Sequence, residues 1–163
     1  MIASFPPSAG DSCRILVLGT MPGVESLRQQ QYYAHPRNAF WSIMGDIWGF
    51  SPELPYPERL AALNGQGIGL WDTVRSCERR GSLDSDIRNP VFNDFATLFR
   101  RCPNLRKVCL NGKGAGKFFQ SYLKTHADRL PELEVCILPS TSPAYASMTY
   151  GQKLKAWRLA LKP

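Results

Sequence analysis

No run of apolar residues in this chain is long enough to cross a bilayer. The N-terminus, Met1-Ile2-Ala3-Ser4-Phe5-Pro6-Pro7, lacks both a basic start and the apolar stretch of a signal peptide. No membrane partner is expected, and a cytoplasmic location follows as the default. There is no Cys-x-x-Cys pair, and the five cysteines are an odd number. A disulfide scaffold or a zinc site is therefore not expected. Cys13, Cys109 and Cys136 fall in or beside apolar segments and read as small core residues. Acidic residues are scarce, 13 against 20 Lys and Arg, which leaves a net charge of +7 and a pI near 9.4. That excess suits a polyanion such as nucleic acid. No repeat, linker or low-complexity tract interrupts the chain.

What is present fits one domain over residues 1–163, long enough for a sizeable core. Apolar runs at Arg14–Leu18, Ile68–Trp71, Lys107–Leu110 and Glu134–Leu138 read as strands. Helical spacing marks Asn38–Gly49, with Asn38 as N-cap, and also Pro57–Leu63, Asn93–Arg101, Lys113–His126 and Thr149–Lys162. Arg75–Asn89 reads as a polar, Arg-rich loop. Strands alternating with helices predict an α/β fold, a three-layer α/β/α sandwich around a short, mainly parallel four-stranded sheet. Ligands of such folds bind beyond the carboxyl ends of the strands. The loops leaving Leu18 and Leu138, together with Asp72 and Gly112, would share that edge.

Two segments there carry chemistry. The first strand runs into Gly19-Thr20-Met21-Pro22-Gly23, and Tyr32-Tyr33-Ala34-His35-Pro36-Arg37-Asn38-Ala39-Phe40-Trp41 follows. Glycines after a strand let backbone amides approach a ligand closely. An aromatic pair and a carboxamide stand close by, so the parts needed to hold a flat base are together. The second segment is Leu138-Pro139-Ser140-Thr141-Ser142-Pro143-Ala144. These motifs resemble the uracil-DNA glycosylase superfamily. Ala34-His35-Pro36-Arg37-Asn38-Ala39-Phe40-Trp41 is similar to the Ala-His-Pro-x-Asn-x-Phe-Trp stretch of its mismatch-specific branch. The longer string from Gly19 to Trp41 looks most like its hypoxanthine (deoxyinosine) DNA glycosylases. The second segment resembles the loop with which the superfamily grips DNA.

The resemblance implies a monofunctional DNA glycosylase of base-excision repair. It would flip a deaminated base out of double-stranded DNA and hydrolyse the glycosidic bond, without metal or organic cofactor and as a monomer. Hypoxanthine is the expected base and uracil, opposite guanine, the alternative. The superfamily's iron–sulfur members have a different cysteine spacing. Tyr33 is expected to stack on the base, with Gly19, Thr20, Met21 and Pro22 around it and His35 near the rim. Thr20 and Met21 are the expected amide donors to a base carbonyl. Many relatives carry a polar catalyst where this chain has Met21, and another where it has Leu138. The hypoxanthine branch shares that lack and is thought to use the Asn of His-Pro-x-Asn, which is Asn38 here. The competing role for Asn38 is the helix cap alone. Asp72 could assist the oxocarbenium ion or cap a turn.

Ser140, Thr141, Ser142 and Pro143 are expected at DNA phosphates, with Tyr145 as the wedge and Ala144 or Met148 as rivals. Gly112-Lys113-Gly114-Ala115-Gly116-Lys117 lacks Walker spacing and reads as a helix start near the DNA backbone, with Lys113 on a phosphate. Arg75, Arg79, Arg80 and Arg88 could follow phosphates or form a charged surface. Two other classes stay open: a non-catalytic damaged-DNA-binding module, and a small-molecule nucleotide enzyme using the Gly112–Lys117 loop.

Overall fold

The computed structural model describes residues 1–163. Its elements in chain order are β1 (Ile2–Ala3), β2 (Ile15–Gly19), α1 (Val24–Gln29), α2 (Phe40–Trp48), α3 (Tyr56–Gly65), β3 (Ile68–Asp72), β4 (Val74–Glu78), β5 (Arg88–Phe92), α4 (Phe95–Arg101), β6 (Lys107–Asn111), α5 (Lys113–His126), β7 (Glu134–Leu138) and α6 (Tyr150–Leu161). Four strands form a parallel sheet in the order β3-β2-β6-β7. Parallel strands covered on both faces need unbroken apolar sequence, and every residue of β2 is buried. Its side chains alternate between two cores. Ile15 and Val17 face Phe40, Ile43, Met44, Leu63 and Trp157 of α2, α3 and α6. Leu16 and Leu18 face Phe95, Leu98, Phe99, Phe119 and Tyr122 of α4 and α5. These are the three layers of the expected sandwich.

The register aligns the strand ends. Gly19 pairs with Asp72, and Asn111 with Leu138, so all four carboxyl ends meet at one edge. The segment expected as a polar loop departs from the reading. Residues 74–92 form a β4–β5 hairpin that joins β1 in a second, antiparallel sheet of order β1-β4-β5. Its register shifts twice, and Pro90 sits in the outer strand, where no ladder donor is required. The four residues Arg88–Val91 are exposed, so no apolar alternation betrays the strand. The hairpin tip folds back over the strand ends of the main sheet and meets the Gly19–Gly23 loop.

Candidate active site

A cavity of about 610 Å³ opens at the carboxyl edge of the main sheet, within the size range of small-molecule sites. Its lining brings together Gly19, Thr20, Met21, Pro22, Tyr33, His35, Asn38, Asp72, Ser140, Thr141, Ser142, Pro143 and Tyr145. Lys113 does not line it; it is exposed on the first turn of α5. The N–H groups of Thr20 and Met21 have no acceptor in the protein, so both amides are free for a ligand. Tyr33 has φ 57°, a left-handed conformation that an aromatic residue rarely adopts. Its ring stacks on Phe40 at 4.1 Å between centroids, and its hydroxyl is buried without a hydrogen-bond partner.

Asn38 does not cap α2. The helix starts at Phe40 with Ala39 at the N-cap, because Asn38 is held in the preceding turn by its N–H bond to the His35 carbonyl. Its Oδ1 accepts the Phe40 N–H at 3.0 Å. Its amide NH2 has no protein partner and stands in the cavity lining. His35 Nδ1 accepts the Arg37 N–H, which shapes the same turn. Asp72 caps nothing: its carbonyl accepts from Asn93, but its carboxylate receives no hydrogen bond and Oδ2 is buried unpartnered.

The second loop is held from inside. Thr141, expected at DNA, is only 1 % exposed. Its N–H donates to Asn111 Oδ1, its hydroxyl accepts from Asn111 Nδ2, and its carbonyl accepts the Ala39 N–H. It is a brace, because the loop turns that side chain inward onto β6. The amides of Ser142 and Ala144 are likewise taken by Ser140 and Ser142 hydroxyl oxygens. As acceptors those two hydroxyls keep their own hydrogens to donate. Lys153 from α6, 6 % exposed, donates to the carbonyls of Ser142 and Tyr145 and lies 5.3 Å from the Tyr145 ring.

The sequence profile of the Uracil DNA glycosylase superfamily matches residues 6–161. The chain belongs to that superfamily. It is 41 % identical over 115 residues to a hypoxanthine DNA glycosylase of Methanosarcina barkeri, covering 70 % of this chain and 73 % of the relative. It is 40 % identical to the protein of the same name from Methanosarcina acetivorans, with the same coverage. A solution NMR structure of a candidate uracil DNA glycosylase from Methanosarcina acetivorans superimposes with a TM-score of 0.80 at 34 % identity. That match covers 99 % of this chain and 98 % of the other.

Among the residues lining this superfamily member's cavity, sequence reasoning passed over Asn111 and Asp84, which hold its walls together. Asn111 ends β6 and could have been found by the strand-end argument that picked out Asp72. Asp84 had no local signal. It comes from the β4–β5 connection, where its Oδ2 accepts from Thr20 Oγ1 at 2.9 Å. The same carboxylate lies against Gly114, so closely that a Cβ there would clash with Oδ2. A carboxylate therefore occupies the start of α5, the place read as a phosphate contact; helix N-termini favour negative charge. Arg79 is also turned inward, donating to the carbonyls of Pro22 and Gly81. It braces the glycine loop instead of following phosphates.

Burial, assisted by the charge of Asp84 and opposed by Arg79, pushes the Asp72 carboxyl up to about 7. Burial and then Asp72 raise the Tyr33 hydroxyl well above the ordinary tyrosine range. Both groups favour their protonated forms. Gly19 makes their proximity possible. A Cβ at that position would lie 2.6 Å from Asp72 Oδ1 and 3.1 Å from Tyr33 Oη.

Proposed function

We propose that this chain is a monofunctional DNA glycosylase that removes hypoxanthine from double-stranded DNA and leaves an abasic site. The observation that carries the reading is the Asn38 carboxamide, tied through its oxygen to the start of α2 with its NH2 unpartnered in the cavity. The motif match and the named relatives support the substrate.

Flipping a base costs a few kcal/mol, least for a damaged or mismatched one. Tyr33, its ring held against Phe40, walls the pocket beside the base, and burying the base there returns part of that cost. The free Thr20 and Met21 amides donate to the base as negative charge grows on it. Asn38 holds the attacking water near the sugar, using its NH2 and the second lone pair of Oδ1. Ser140 and Ser142 donate their hydroxyl hydrogens to phosphate oxygens. Tyr145, steadied by Lys153, fills the gap in the stack. Lys113 and the exposed Arg80 add phosphate contacts outside the cavity.

The test is single-turnover excision on duplexes carrying one hypoxanthine or one uracil. Hypoxanthine is expected to be cut faster. Asn38→Ala should slow cutting by about 100- to 1,000-fold. Asn38→Asp keeps an acceptor for the Phe40 N–H but loses the NH2, and because a carboxylate can itself activate water, loss of activity there would show that the NH2 is needed. Full activity in Asn38→Ala would remove Asn38 from the chemistry. Binding of damaged DNA by the wild type without any cutting would favour the non-catalytic module.

A further inference from the structure

Two polar side chains of the cavity lie at its base, and neither satisfies its end within the protein. Asp72 is 3 % exposed and its Oδ2 has no partner; the Tyr33 hydroxyl has none either. Buried polar atoms are rarely left unpaired, and such exceptions call for an explanation. The other carboxylate oxygen of Asp72, Oδ1, and the Tyr33 hydroxyl crowd the same point above the Gly19 Cα. A flipped nucleotide enters base first, so groups this deep meet the base, and Asn38 and the serines nearer the mouth meet sugar and phosphate.

We propose that the Asp72 carboxyl and the Tyr33 hydroxyl form a pair of O–H donors that bind N7 and O6 of a 6-oxopurine and stabilise it as it leaves; this rests on the glycosylase reading above. A 6-oxopurine shows two adjacent acceptors on that edge, whereas adenine shows an acceptor beside an amino donor. Uracil has C5–H where the purine has N7. Two donors side by side therefore satisfy both acceptors of hypoxanthine, whereas adenine would need one of them to turn and accept, and uracil offers only one acceptor on that edge. Guanine shares the edge, but its intact pair makes flipping more costly than for a mismatched base.

The same pair serves the chemistry. The C1′–N9 bond breaks with its electrons leaving on the base, and the Asp72 proton passes to N7. Water adds to C1′, and the proton it releases returns to Asp72 through solvent. Burial and Asp84 keep the proton on Asp72 near neutrality; Arg79 opposes them, and the neutral hydroxyls of Tyr33, Tyr32 and Tyr56 are the other titratable groups facing it.

The experiment is the pH profile of single-turnover excision on hypoxanthine and uracil duplexes. In the wild type the hypoxanthine rate should fall about tenfold per pH unit above neutrality as Asp72 loses its proton. Asp72→Asn, whose amide can still donate, should be about tenfold slower at pH 7 and lose that slope, while Asp72→Ala should be about 100-fold slower throughout. Tyr33→Phe, which keeps the ring on Phe40, should lose about tenfold on hypoxanthine and less than about threefold on uracil. An unchanged pH profile in Asp72→Asn, or equal losses on both bases in Tyr33→Phe, would overturn the donor pair while leaving the glycosylase reading intact. A wild type that cuts neither base at any pH would overturn the glycosylase reading, and the pair with it.

Discussion

Replacing Asp72 by Asn should stabilise the protein at alkaline pH and do nothing of the kind in acid. The carboxyl sits at 3.8 in an unfolded chain and is raised to about 7 in the fold. Keeping it ionised in the folded state therefore costs about 4 kcal/mol relative to the unfolded chain. The sign follows from the raised value. Below 3.8 the group is neutral in both states and the cost is absent. As pH rises towards 7 the unfolded chain ionises first and stability is lost. Above 7 the cost is carried in full. Asn is neutral throughout, so the variant escapes that loss, although its buried amide forfeits about 1–3 kcal/mol for want of partners. The net gain at pH 8 is about 2 kcal/mol, which for a chain of this size raises Tm by about 4–8 °C. Thermal melts of both proteins at pH 4, 6 and 8 read this directly. A gain of the same size at all three values, or none at pH 8, would refute the account of Asp72 as a group held against its preferred charge.

Gly19→Ala places a methyl 2.6 Å from Asp72 Oδ1 and 3.1 Å from Tyr33 Oη. It should destabilise by about 1–3 kcal/mol in urea titrations and cut excision more than about tenfold. Thr141→Val strands the Asn111 NH2 and should lower stability by about 1–2 kcal/mol in the same assay. Duplex affinity should fall steeply with salt, and Lys113→Ala or Arg80→Ala should each reduce the log–log slope by about one if that side chain neutralises a phosphate.

The main sheet was legible because its strands are short apolar runs. β7 and α5 fall on the residues that the sequence marks, Glu134–Leu138 and Lys113–His126. Helix starts were less readable: Asn38, a good capping residue, lies one position before the true N-cap, since the turn at His35 had already claimed its backbone. The β4–β5 hairpin left no pattern, because its strands are polar, irregular and mostly exposed. With the hairpin went Asp84, whose place beside Thr20 is 64 residues distant in sequence and visible only in three dimensions. Thr141 looks on paper like its serine neighbours; only the direction of the chain separates an inward brace from an outward contact.

That brace has a mechanical consequence. Through one threonine, the loop that would grip phosphates, the turn that carries Asn38 and the end of β6 are bolted into a single body. Trp157 adds a further rivet by donating to the Pro139 carbonyl. A jaw built this way would have no joint between the part proposed to clamp and the part proposed to cut. On the proposed reading the protein brings its tools already aligned, and it is the duplex that bends, opens and turns its nucleotide to meet them.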